Sequence, residues 1–299
     1  MQPIERQIEN VVDTILEDYS NARDIDRIEL FRHPDKDTVV DMIAKLQRIV
    51  FPGYSTDKNY RVYNAKHNLS MLIEDVMFNL SQQIALILED RERGQSICLD
   101  FLRTIPKVRA TVQTDLQAAF DGDPAATGID EIIFSYPGVF AITVYRLAHE
   151  LHLLGVPILP RMMTEYAHNI TGIDIHPDAT IGDYFFIDHG TGIVIGETTI
   201  IGRHVKIYQG VTLGGLSTRG GQSLRGKKWH PTIEDDVTIY ANASILGGDT
   251  VIGHGSVIGS NAFVTHSIEP CTTVTIKNLE LQMRTREHCC RDKELFENA

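Results

Sequence analysis

The chain has 299 residues, 42% of them hydrophobic and 23% charged, which is the balance of a folded globular protein and a length that suits two domains. A formal net charge of -12 argues against duplex nucleic acid or an anionic membrane as a partner and favours small molecules and proteins. Four cysteines, Cys98, Cys271, Cys289 and Cys290, show neither metal-ligand spacing nor a disulfide framework, as suits a reducing compartment. The opening segment MQPIERQIENVVDTILEDY alternates charged with apolar residues and lacks the apolar run of a signal peptide or membrane span, so the expected location is the cytoplasm.

From Met1 to about Asn169 apolar residues recur at three- and four-residue spacing, as in Ile8, Val11, Val12 and Ile15 and again in Leu72, Ile73, Val76, Met77 and Leu80. That period predicts helices over residues 1–170. Breaks at Pro34, Phe51 to Thr56, Gly94, Asp121 to Pro124 and Gly155-Val156-Pro157 divide the segment into about six of them.

At Thr171 the rhythm changes. Units of six begin at Ile175, Ile181, Ile187, Ile195, Ile201 and Ile207, with a slip of two residues at Ile193-Val194, and resume at Ile233, Ile239, Ile245, Ile252 and Ile258. Short strands punctuated this regularly by Gly, Asn and Asp predict a parallel β-helix over residues 171–277, each face contributing one inward aliphatic side chain. An ordinary β-sandwich would show turns at irregular spacing. The expected class is therefore α+β, a helical domain followed by a solenoid, with residues 278–299 as a polar tail that carries Cys289 and Cys290 as solvated thiols.

Between Leu213 and His230 the repeat gives way to LGGLSTRGGQSLRGKKWH, so a loop must leave the solenoid there. Arg219, Arg225, Lys227 and Lys228 make it a local basic field in an acidic protein, suited to phosphates.

The stretch GIDIHPDATIGDYFFIDHGTGIVIGETTIIG from Gly172 to Gly202, the VTLGG that begins at Val211, and His230-Pro231 resemble the serine acetyltransferases among the hexapeptide-repeat acyltransferases. Upstream, TDLQAAFDGDPA and a helix with Tyr145-Arg146 and His149 are similar to the helical segment preceding the β-helix there, so the likeness runs from about Thr114 to Pro270. It implies a left-handed coil, a helical domain that assembles the protein as a homotrimer or hexamer, and acetyl transfer from acetyl-CoA to the hydroxyl of L-serine for cysteine biosynthesis. Feedback inhibition by L-cysteine, which is shaped like serine, is implied as well. Many relatives dock a C-terminal isoleucine into cysteine synthase; this chain ends ELFENA, which predicts weak or absent association.

Residue roles follow from the resemblance and can be matched to the chemistry. A hydroxyl has too high a pKa to attack a thioester unaided, and His189 matches the family's general base, with Asp174 as the carboxylate that orients it. Fifteen residues separate the two, close to one coil of roughly eighteen, a spacing compatible with neighbouring positions on adjacent rungs or across a subunit boundary. Asp123 and Asp188 are the expected partners of the substrate ammonium, and His230 of its carboxylate. An arginine commonly precedes that histidine in the family; here Trp229 stands in its place, and Arg225, Lys227 or Lys228 would supply the charge. Gly214 and Gly215 would let backbone N–H groups approach the oxyanion and the pantetheine arm, and Ala241 matches a position beside CoA.

Two other readings stay open at this point. One is a hexapeptide acyltransferase for another acceptor, homoserine or an amino sugar. The other is a metal-dependent β-helix hydratase in which His176, His204 and His254 would bind zinc between subunits, although their spacing is not a specific zinc signature; no metal is expected.

Overall fold

The computed structural model of the chain describes residues 3–21, 23, 25, 33–55 and 64–277. The tail with Cys289 and Cys290 and the terminal ELFENA lie outside the described residues. Seven helices are found among them: α1 Ile4–Tyr19, α2 Lys36–Val50, α3 Ala65–Leu88, α4 Arg91–Gly122, α5 Ile129–Ser135, α6 Pro137–Leu153 and α7 Leu159–Thr171. Short polar side chains start three of them, with Asp35, Asn64 and Asp90 accepting hydrogen bonds from the backbone N–H of Thr38, His67 and Arg93.

Gly94 does not break a helix, contrary to the sequence expectation. The chain turns earlier, at Glu89 in the left-handed region (φ 54°), and Gly94 lies in the first turn of α4, where it lets α3 approach. A Cβ there would stand 2.8 Å from the Ser81 carbonyl oxygen and 3.0 Å from the Ala85 nitrogen. By length and composition α3 is apolar enough to cross a membrane, yet it packs along α4 and α2 and buries Val76, Leu80 and Ile84. The stripe Ile8, Val11, Val12 and Ile15 on α1 is exposed.

The second half is a left-handed β-helix of parallel two- and three-residue strands. Its strands are β1 Asp174–Ile175, β2 Thr180–Ile181, β3 Phe186–Asp188, β4 Val194–Ile195, β5 Ile200–Ile201, β6 Lys206–Tyr208 and β7 Thr212–Gly214, then β8 Thr232–Ile233, β9 Thr238–Ile239, β10 Ser244–Leu246, β11 Val251–Ile252, β12 Val257–Ile258, β13 Phe263–Val264 and β14 Thr273–Val274. They form three faces: β1-β4-β7-β10-β13, β2-β5-β8-β11 and β3-β6-β9-β12-β14. Register is set by the repeat. Ile175, Ile195, Leu213, Ile245 and Val264 lie one above another on the first face, Ile181, Ile201, Ile233 and Ile252 on the second, and Ile187, Ile207, Ile239 and Ile258 on the third, all buried in one column.

The lowest coil exposes strand edges that need partners, and the helices supply them. Tyr145 Oη and the Arg146 guanidinium, both on α6, donate to the carbonyls of Ala179, Ile181 and Gly182, while His149 Nδ1 meets the Pro177 carbonyl at 2.7 Å. From α4, Thr114 and Asp115 accept from the N–H groups of Tyr184 and Phe185 at 3.0 Å each. Asp115 also takes two hydrogen bonds from Arg146, at 3.0 and 3.1 Å, so a buried ion pair joins α4, α6 and the first coil.

Candidate active site

The slip of two residues in the repeat marks the site. From Ile187 to Ile195 the turn from the third face to the first holds His189, Gly190, Thr191 and Gly192, two residues more than the equivalent turns in the coils above. Gly190 takes φ 97° and its missing Cβ would fall 2.6 Å from Ile173, so the turn closes over the core and His189, itself at φ 58°, points outward with a side chain 74% exposed.

Asp188, at the end of β3, is close to this imidazole: its Oδ1 lies 3.6 Å from His189 Nε2. Asp123, the residue capping the C-terminus of α4, joins them. It accepts from the Ala125 N–H at 2.8 Å and from Tyr136 Oη at 2.5 Å, and the Tyr136 hydroxyl first, then that N–H, hold its carboxyl below the ordinary carboxylate range, with smaller contributions from Lys206 and His189. The same bond pushes the Tyr136 phenol up to about 12.

Sequence reasoning missed Lys206. Its ammonium donates to the Gly122 carbonyl at 2.7 Å, lies 3.3 Å from Asp188 Oδ2, and stands over the rings of Phe186 and Tyr208. Burial opposes its charge, but Tyr208 and Asp188 outweigh that and raise its pKa. The clue was available in the repeat, because β6 pairs with β3 so that Lys206 faces Phe186 and Tyr208 faces Asp188.

The expected dyad is not in direct contact within one chain. Among the described residues Asp174 pairs with Arg161 Nη1, at 2.9 Å, and not with His189; α7 packs beside β1 and delivers the guanidinium, which Glu165 also holds.

His230 stands elsewhere. It precedes β8 at the turn from the first face to the second, a different edge of the triangle from His189, so the fold does not bring the two together within one chain. Its Nδ1 receives the Thr198 N–H at 3.1 Å, so the neutral ring carries its proton on Nε2. Burial, then Lys228 and His176, push its pKa down to about 4, and it offers a neutral N–H rather than a charge.

Gly215 and Gly214 are both partly exposed; a Cβ at Gly215 would lie 2.4 Å from the Trp229 ring and one at Gly214 3.1 Å from Leu246, so each glycine makes room for a neighbouring side chain. Trp229 packs against His230 with ring centroids 3.8 Å apart. The Lys228 ammonium is directed to the carbonyls of Thr198, His230 and Pro231, closing the base of the loop instead of facing an anion. Arg225 and Lys227 are exposed beside a short 3-10 turn, Gly221–Leu224. Ala241 lies on the His189 edge two coils higher, at the turn from β9 to β10. Within one chain the three histidines considered for a metal lie apart: His176 between the first and second faces, and His204, stacked on Tyr184, and His254 between the second and third.

No protein-family profile matches the chain. Over 200 residues it is 44% identical to the plasmid serine acetyltransferase of Synechococcus elongatus, a match spanning 66% of this chain and 62% of that protein. It is 45% identical to the serine acetyltransferase of Bacillus licheniformis over 54% of this chain and 72% of the relative. Among solved structures it is similar to serine acetyltransferase isoform 3 of Entamoeba histolytica in complex with cysteine, at 32% identity and a TM-score of 0.74 over 91% of this chain and 93% of that one. At this identity and coverage, and with its helices followed by a β-helix, the chain belongs to the serine acetyltransferase family.

Proposed function

We propose that the chain transfers the acetyl group of acetyl-CoA to the hydroxyl of L-serine, giving O-acetyl-L-serine for cysteine biosynthesis in the cytoplasm. The observation that carries this reading is the convergence of His189 with Asp188 and Asp123: a base exposed to an incoming hydroxyl, beside carboxylates suited to an ammonium. His189 removes the hydroxyl proton as the oxygen attacks the thioester carbonyl, the C–S bond breaks, and the imidazolium returns the proton to the departing thiolate of CoA. Asp174, which Arg161 holds in the single chain, is the carboxylate that the family resemblance assigns to the imidazolium.

His230 and the loop bearing Arg225 and Lys227 enter the same site only if a neighbouring copy brings its first-to-second edge against the His189 edge, as cyclic packing of three triangular prisms does. In this arrangement His230 Nε2–H donates to the serine carboxylate. Arg225 and Lys227 face the CoA phosphates, and Gly214, Gly215 and Ala241 line its pantetheine arm. L-cysteine, bound in the Entamoeba relative, occupies the serine pocket as a competitive inhibitor.

The test is acetyl-CoA consumption with L-serine, L-homoserine and glucosamine. Serine-dependent turnover should fall about 10²- to 10⁴-fold in His189→Ala. Turnover confined to another acceptor would move the error to the pocket, and no turnover with any of the three would sink the reading.

A further inference from the structure

An amino acid enters any site as a zwitterion, and the His189 cluster is unevenly prepared for one. Asp123 and Asp188 suit its ammonium, but the substrate carboxylate would then face two like charges, which is unfavourable in a partly enclosed pocket unless a cation is close. Of the residues expected to provide that cation, Arg225 and Lys227 face the CoA phosphates in the shared site, and the others bring no free charge. His230 stays neutral, and Lys228 is turned onto three carbonyls at the base of its loop.

Lys206 is the described cation beside both carboxylates. Its side chain is 21% exposed, so the ammonium is partly desolvated but reachable, and its contact with Asp188 is long, at 3.3 Å, compared with 2.7 Å to the Gly122 carbonyl. The short bond anchors the group at the end of α4, next to Asp123. The long one can be exchanged.

Resting on the acetyl-transfer reading, we infer that Lys206 binds the α-carboxylate of the acceptor and so selects amino-acid alcohols over alcohols that lack a carboxylate. In the free chain Lys206 neutralises Asp188. When the acceptor binds, its ammonium takes over Asp188 and Asp123, and Lys206 keeps Gly122 while turning to the incoming carboxylate. One cation and one anion are added, so the net charge of the cluster is unchanged and each charge keeps an opposite neighbour. The hydroxyl, on the remaining arm of the substrate, is left to His189.

The experiment compares L-serine with L-serinamide, which keeps the amine and hydroxyl and removes the carboxylate charge, in steady-state acetylation by wild type, Lys206→Met and Lys206→Arg. Wild type should prefer L-serine. Lys206→Met should raise KM for L-serine at least about 10-fold, with little change for L-serinamide, so the preference collapses; Lys206→Arg should retain it. Equal losses on both acceptors would reduce Lys206 to a tether for Gly122 and overturn the inference, as would a Lys206→Met enzyme that still prefers L-serine. If Lys206→Met does not fold, wild type with no preference for L-serine overturns it equally. Calorimetric binding of the two compounds to the unreacted protein decides the matter even if no acetyl transfer is found, which keeps this inference separable from the reading it rests on.

Discussion

His230 offers a neutral N–H because burial outweighs the proton affinity of its ring. The unfolded chain protonates it near its ordinary pKa of 6.5, the folded chain only near about 4. The folded state therefore binds fewer protons between these values, and the stability His230 contributes is fully present above pH 6.5 and lost as pH falls towards 4. His149 and His176 are shifted in the same direction, chiefly by burial, and add to the slope. In urea titrations at several pH values, His230→Asn, whose Oδ1 still accepts the Thr198 N–H, should lose midpoint less steeply than wild type between pH 6.5 and 4. An unchanged slope would show that the other histidines carry all of it. At this scale the residue types of the site were legible in the sequence, and their charge states were not. A histidine reads the same whether its Nδ1 is capped by Thr198 or left to solvent, and Lys206 reads as one polar outward position of a repeat until α4 brings Gly122 and Asp123 to it.

Periodicity served better for the elements of the solenoid than for the helices. Each inward position is written into the chain every six residues, so the column from Ile175 to Ile258 and the slip at Ile193-Val194 were visible before any contact was known. Gly94 misled because glycine is equally a helix breaker and the residue that lets two helices touch, and only the position of α3 decides between them. Gly94→Ala should therefore destabilise the protein by about 1–3 kcal/mol through overpacking against Ser81 and Ala85, although alanine is the better helix former. A rise in the thermal midpoint would restore the reading of Gly94 as a merely flexible position.

Across the whole molecule, the candidate residues divide between two edges of one prism, His189 with Asp188, Asp123 and Ala241 on one and His230 with Trp229 and the basic loop on the other. A site shared between copies predicts complementation. Mixed in equal amounts and reassembled, inactive His189→Ala and His230→Ala chains should recover about a quarter of wild-type activity, since one site in four pairs an intact His189 with a neighbour's intact His230. Activity that stays at the level of the separate variants would place each site within a single chain.

By itself the sequence determined the solenoid, its register, the loop that leaves it and the turn that carries His189, because a six-residue period is a local property that every coil repeats. The tertiary structure alone decided which charges meet: Arg161 on Asp174, Lys228 on the carbonyls of its own loop, and Lys206 between Asp188 and Gly122. Those partners come from helices and coils far apart in the chain, and a charged side chain in water carries no local signal of which opposite charge or carbonyl the fold will place beside it.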